Sequence, residues 1–503
     1  MKRKVIELLI KIIVLILSLL SIILFFGLNW VKSNIGIVSI DEIIFHINVP
    51  LTGTSQTMIE DIIFSSAIPA ILLYIGLFWL IIRKYKYTFM IDISIFKKKF
   101  NIKLNKIRIL LILLMFNIIY IFFMSKEIDS KFHIKDYIKA QNLNSTFIEE
   151  NYIDAKKVSL KFPNKKRNLI YIYLESMEAT YSSKENGGNQ NIDIIPDLTS
   201  LAINNTNFSD KTLLGGAKQV TGTWWTIAGM VAHSSGIPLK IPIDRNDYMG
   251  YNQFLPGVYN LGDILNDNGY KQMVLFGTDS KFAGRDTFFK VHGNYIIKDY
   301  YTAIEEGIIE KDHNVFWGLE DSILFSWAKK ELLELSETQE PFNLTLLTVN
   351  THCPGYTETD CENKFGDNLY ANSISCSSKQ IAEFVDWIKQ QDFYENTTIV
   401  LAGDHLSMSA DPIVEDDDYT RTTLNIFINS ALEKRNNVNR EFSTLDLFPT
   451  TLASLGVEIE NNKLGLGTNL YSDEKTIVEK YGFDKVNEEL AKKSIFYYNK
   501  LLY

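Results

Sequence analysis

The chain predicts an α/β fold, with a mainly parallel sheet sandwiched by helices and an α-helical transmembrane region ahead of it. Three observations carry this prediction. Three long apolar runs fall within the first 126 residues. From residue 168 onward, short β-rich runs alternate with helical patterns, which is the pattern of a parallel sheet covered on both faces. Acids, imidazoles and an arginine stand at the far ends of four of these runs, where ligands bind in open α/β sheets.

The apolar runs cover roughly 12–31, 62–82 and 109–124, close to the ~20 residues that cross a bilayer. The third is the shortest and can extend past Arg108, whose side chain can snorkel. The first is longer than the apolar region of a signal peptide and no small-x-small cleavage pattern follows it. Residues 1–126 carry 15 Lys+Arg against 6 Asp+Glu, and the remaining residues carry 36 against 54. A basic, apolar first quarter therefore precedes an acidic globule.

Lysine and arginine bias sets the orientation. Lys2, Arg3 and Lys4 precede the first span, and Lys32 alone stands in the loop after it. The loop after the second span holds Arg83, Lys84, Lys86, Lys97, Lys98, Lys99, Lys103, Lys106 and Arg108. The amino terminus and this loop are expected in the cytoplasm, and residues 127–503 outside. Residues 127–167 read as a partly helical stalk, and 168–503 as one large extracytoplasmic domain able to bury its own core. The three cysteines, Cys353, Cys361 and Cys376, all lie in that outer part, where disulfides persist. Cys361 with Cys376 is the preferred pair, because Cys353 directly follows a candidate site histidine. No nucleic-acid motif, internal repeat or low-complexity tract occurs, so no nucleic-acid partner is expected.

The strands expected in the outer part are Asn168–Leu174, Lys271–Phe276, Phe342–Val349, Thr397–Ala402 and Thr423–Ile428. Helices are expected over 197–205, 258–268, 380–389 and 444–455. Glu175 ends the first strand and Gly403-Asp404-His405 the fourth. Carboxylate oxygens with an imidazole suit a hard divalent cation, although a polar strand-to-loop turn explains the tripeptide equally well when taken alone. Thr223 stands at the start of an apolar periodic run and reads either as an ordinary N-cap or as a nucleophile. Arg285 can grip phosphate oxygens bidentately or form a surface ion pair. His352 can protonate a leaving oxygen or orient a phosphate. His233, His292 and His313 lack such a context and read as structural.

In combination these motifs resemble a known family. Tyr173-Leu-Glu-Ser176, Gly222-Thr-x-x-Thr-Ile-Ala-Gly-Met230, Gly236-Ile-Pro-Leu239, Phe282-Ala-Gly-Arg-Asp286, Asn350-Thr-His352 and Gly403-Asp-His405 look like the bacterial phosphoglycerol transferases. These belong to the alkaline phosphatase/sulfatase superfamily and include lipoteichoic acid synthases as more distant members. The similarity covers roughly 168–470. It implies an alkaline phosphatase/sulfatase-like domain around one Mn2+ or Mg2+, with Glu175, Thr223, Asp404 and His405 as ligands. Thr223 is then the nucleophile, favoured over Thr226 by its spacing to Gly236-Ile-Pro, and Arg285 and His352 contact the substrate phosphate. It also implies a multi-pass protein of the bacterial inner membrane that moves glycerol phosphate from phosphatidylglycerol to a glycan hydroxyl. A phosphoethanolamine transferase, a sulfatase and a non-catalytic envelope scaffold are the alternatives. Lipoteichoic acid synthases carry a histidine after the strand ending at Phe276, whereas this chain reads Gly277-Thr278-Asp279, which implies a different acceptor pocket.

Overall fold

The computed structural model describes residues 2–502 apart from 35–38, 49–55, 84–88, 96–97, 241–252, 314, 339, 410–412, 415, 417 and 433–437. Lys84, Lys86 and Lys97 of the basic loop thus lie outside the described residues. The chain divides into two compact units, one of residues 1–37 with 56–135 and the other of 38–55 with 136–503.

In the first unit, three helices are long and apolar enough to cross a membrane: Lys4–Asn34, Met58–Ile82 and Lys106–Phe132. Each contains one of the expected spans and extends beyond it. Their large aliphatic side chains are mostly exposed, as a lipid-facing surface requires. Inside, Asn117 donates to Ser18 at 2.9 Å, a polar contact between helices of the kind that holds membrane bundles together. Phe89–Ile95 and Lys98–Leu104 pair as an antiparallel hairpin.

The second unit is built on a seven-stranded sheet. Its strands are β1 (Asn168–Leu174), β2 (Gly216–Ala217), β3 (Lys271–Phe276), β4 (Ile296–Lys298), β5 (Phe342–Leu347), β6 (Thr397–Gly403) and β7 (Thr423–Ile428). Their order across the sheet is β2-β7-β6-β1-β5-β3-β4. Pairing is parallel from β6 to β4, while β7 runs antiparallel to both β6 and β2. The central strands are buried along their whole length, so their near-continuous apolar runs serve two cores rather than one. Leu169, Tyr171 and Tyr173 enter one cluster with the helices Thr226–Ser235 and Leu447–Ser454. Ile170, Ile172 and Leu174 enter the other with Pro196–Asn204, Asp321–Ser336 and Leu369–Lys389. This period-two alternation is the pleat itself.

Register aligns the ends that matter. Tyr173 of β1 lies opposite Leu347 of β5, Leu347 opposite Phe276 of β3, and Leu174 opposite Gly403 of β6. The loops after these four strands therefore leave the same edge side by side.

Two segments expected elsewhere fold onto this unit. Residues 136–167 do not form a free stalk. Phe147 and Ile148 are buried, and Leu160–Lys161 pairs with Glu458–Ile459. The loop between the first two apolar helices also belongs here, because its Ile40–Asn48 helix inserts Phe45 into the core. Cys361 and Cys376 are bonded, and Cys353 is free.

Candidate active site

Glu175 leaves the end of β1 fully desolvated, and the chain turns at once. Ser176 takes a left-handed φ of 53°, a conformation that costs a non-glycine residue about 1 kcal/mol or more. Its hydroxyl donates to Glu175 Oε1 at 2.7 Å, and its backbone N–H donates to Asp404 Oδ1 at 2.8 Å. Thr348 accepts from the Glu175 amide, and Thr351 donates to the Glu175 carbonyl. Three neighbouring strand ends thus fix the backbone that carries this carboxylate.

One ligand atom each from Glu175, Asp404 and His405 fits within 4.8 Å of the others, and all three residues are buried. His405 Nε2 lies 3.4 Å from both Glu175 Oε1 and Asp404 Oδ2. Its Nδ1 lies 2.8 Å from the Leu406 carbonyl, so Nδ1 donates to that oxygen and Nε2 faces the carboxylates. Asp404 Oδ1 takes two backbone amides, from Ser176 and from His405 itself, while Oδ2 is buried without a hydrogen-bond partner.

The electrostatics describe a site short of positive charge. Burial pushes Glu175 up, but the His405 ring, His352 and the Ser176 hydroxyl together hold the carboxyl below its usual range. Burial and then the Glu175 charge push Asp404 up. At His405, Asp404 and Glu175 overcome burial and raise the ring. Two buried carboxylates, one of them with a bare oxygen, and an imidazole Nε2 that would give up its proton to a cation are the donor set of a divalent ion.

The hydroxyl at this cluster belongs to Thr226. Its Oγ1 is 3.3 Å from Glu175 Oε2 and 3.3 Å from His405 Nε2. Thr223, expected there, is fully buried and donates to the Val220 carbonyl at 2.8 Å. The reason is local. Gly222 has a φ of 82°, and the Thr223 amide also closes on Val220, so Thr223 is spent inside a tight turn. The helix begins only at Thr226, which Trp225 precedes in extended conformation. The signal lay in the sequence, since the apolar helical run starts at Ile227, immediately after Thr226. Spacing to Gly236 favoured Thr223, whose hydroxyl is turned to the Val220 carbonyl and away from the cluster.

Arg285 begins a helix after two left-handed residues, Ala283 and Gly284. Its guanidinium donates to Thr278 Oγ1 at 2.8 Å and to the Asp279 carbonyl at 2.7 Å, and it lies over the Phe276 and Phe282 rings. Burial lowers it to about 10, partly opposed by Glu175 and Asp279, so it stays cationic at neutral pH. His352 is lowered by burial to about 4, with Glu175 opposing and His405 adding to the effect. It is a neutral imidazole, set edge-on against Trp317. Both residues lie within electrostatic reach of Glu175.

Sequence reasoning missed the supports. Asp321 accepts the Val349 amide at 2.7 Å and fixes the loop that carries His352. Glu178 is gripped by Arg421 through both carboxylate oxygens and accepts the Ser407 amide, fixing the loop after His405.

A family model described as Sulfatase matches residues 167–457, more than half of the chain. The chain belongs to the sulfatase family. Among similar proteins is phosphoglycerol transferase I of Citrobacter koseri, 33% identical over 326 residues, which make up 63% of this chain and 40% of that protein. Phosphoglycerol transferase I of Xanthomonas campestris pv. campestris is 33% identical over 317 residues, 62% of this chain and 43% of that one. The chain thus spans less than half the length of these relatives. A solved structure from Vibrio parahaemolyticus, a protein of the alkaline phosphatase superfamily, superimposes with a TM-score of 0.50 at 17% identity, covering 68% of this chain and 79% of that one. That likeness concerns the sulfatase-type fold.

Proposed function

We propose that the chain is a membrane-anchored phosphoglycerol transferase that uses phosphatidylglycerol as donor and a glycan hydroxyl as acceptor, with Thr226 as the nucleophile. The observation that carries this reading is the Thr226 hydroxyl held between Glu175 and His405 at the first turn of a buried helix. Free amides at a helix start favour an incoming phosphate. The relatives named phosphoglycerol transferase I supply the donor class, and three membrane-length helices suit a lipid substrate.

Glu175, Asp404 and His405 would hold one Mn2+ or Mg2+. When bound, that ion supplies Lewis-acid activation of the hydroxyl and charge opposite the phosphoryl oxygens. The chain does the rest. Thr226 Oγ1 bonds to phosphorus as the bond from phosphorus to the diacylglycerol oxygen breaks, and the threonine proton ends on that oxygen. Arg285, pre-set by Thr278 and the Asp279 carbonyl, offers its remaining N–H groups to the phosphoryl oxygens. His352, neutral and half-buried, contacts the same group. The acceptor hydroxyl then displaces Thr226 and restores it. Both halves rely on positioning and electrostatics.

The test is diacylglycerol release by the full chain in detergent with Mn2+. Phosphatidylglycerol should be cleaved and phosphatidylethanolamine spared. Preference for phosphatidylethanolamine would move the chain to the phosphoethanolamine transferases, and cleavage of neither would contradict the proposal.

A further inference from the structure

The Ile40–Asn48 helix stands between the first two membrane-length helices in sequence, yet within the second unit it packs beside the candidate site. Phe45 seats it, fully buried against Trp225, the residue before Thr226, with ring centroids 5.7 Å apart. Asp41 faces the buried Lys240. The residue after Phe45 reaches the other flank of the site, where the His46 ring stacks on Phe282 with centroids 5.7 Å apart and planes 26° from parallel. Phe282 in turn lies under the Arg285 guanidinium at 5.5 Å and meets Trp317 edge to face at 5.3 Å. Arg285 has a second aromatic support in Phe276, and the two supports differ. Phe276 is fully buried at the end of β3. Phe282 stands in a short turn whose next residues, Ala283 and Gly284, are left-handed. No strand or long helix fixes its ring, so the side chains packed on it must. Burial, with the His352 charge, lowers His46 to about 4, so its ring is neutral at pH 7 and stacks there without repelling the guanidinium.

We infer that His46 is a positioning residue for Arg285: its ring holds Phe282 in the orientation that supports the guanidinium. The inference rests on the proposed function, in which Arg285 meets the phosphoryl oxygens, and it adds a residue from outside the segment that matches the sulfatase model. Arg285 donates from Nε to the Phe282 carbonyl and from Nη2 to Thr278 and the Asp279 carbonyl, which fixes one edge of the fork. The ring face beneath attracts the cation and sets the tilt of the plane that Nη1 offers to the phosphate. A Phe282 ring that has lost His46 can turn, and the guanidinium then loses that support.

The experiment is a double-mutant cycle read by calorimetric titration of the full chain in detergent with Mn2+, using inorganic phosphate as the probe. Arg285→Ala should weaken phosphate binding. His46→Ala should weaken it about 3- to 10-fold, as expected for one lost aromatic pair, and should change nothing further when Arg285 is already alanine. His46→Phe keeps a ring on Phe282 without the imidazole nitrogens, and it should restore most of the affinity. Equal losses in the two backgrounds, an unchanged affinity in His46→Ala, or no rescue by His46→Phe would overturn the inference, and so would a wild-type affinity indifferent to Arg285→Ala. Should His46→Ala fail to fold, Phe282→Leu takes its place in the cycle and is judged by the same additivity. Phosphatidylglycerol cleavage is scored separately. Its absence beside intact coupling of His46 to Arg285 would sink the transferase reading and leave the positioning role standing.

Discussion

Asp404 gives one carboxylate oxygen to two backbone amides and keeps the other bare. The amides fix the direction of the carboxylate before any ion arrives. Asp404→Asn keeps the shape and removes the charge, so metal measured by elemental analysis after gel filtration should fall from about one per chain to a small fraction, and activity with it. Stripping wild type with a chelator and restoring Mn2+ should reproduce the loss and its reversal. The support around Glu178 is costlier to break, because Arg421 is its counter-ion and the carboxylate is fully buried. Arg421→Ala leaves that charge unpaired, and a loss of about 3–5 kcal/mol is expected in denaturant titration. The residues with chemistry were readable because acids, histidines and an arginine at strand ends have few ordinary explanations in combination. Only the start of the apolar helical run at Ile227 favoured Thr226 over Thr223, because a short turn decides which hydroxyl faces the cluster, and turn geometry leaves little trace in residue type.

The Thr226–Ser235 helix approaches the Asp404 backbone too closely for most residues. A Cβ on Gly229 would fall 2.2 Å from the Asp404 carbonyl oxygen. Gly229→Ala must push the helix away from β6 and carry Thr226 off the cluster. We expect a cost of about 1–3 kcal/mol in stability and a loss of catalysis larger than that figure explains, checked by comparing thermal midpoint with turnover. Strands were legible almost to the residue, since β1, β3 and β7 match their apolar runs. Helices were less so. Leu369–Lys389 begins eleven residues before the segment read as its start, because its first half is rich in serine and asparagine. Its face toward the sheet is buried all the same, as tertiary packing overrides weak propensity. The Ile40–Asn48 helix passed as a loop between membrane spans, for nothing in nine residues reveals a partner far along the chain.

At the scale of the molecule, residues 38–55 and 136–503 form one unit, which agrees with a topology in which both leave the membrane on one side. The basic loop predicts that this side is extracytoplasmic. In intact cells a membrane-impermeant maleimide should label Lys485→Cys and spare Ser94→Cys. The unit should also answer to acid. His233 is buried, with Nδ1 3.1 Å from the Tyr171 hydroxyl and Nε2 unpaired, and burial, with the His405 charge, lowers it to about 3. The unfolded chain takes up this proton near pH 6.5, while the folded one does not until about 3. The stability contributed is complete above 6.5 and is lost as pH falls, at up to ~1.4 kcal/mol per pH unit. The thermal midpoint of wild type should drop across this window, and that of His233→Leu should drop less steeply.

If Thr226 carries the transferred group, the mass of the chain must show it. Intact-mass analysis after incubation with phosphatidylglycerol and Mn2+ should find a gain of one glycerophosphoryl group in wild type and in Thr223→Val, and none in Thr226→Ala. A gain that persists in Thr226→Ala and vanishes in Thr223→Val would rule Thr226 out.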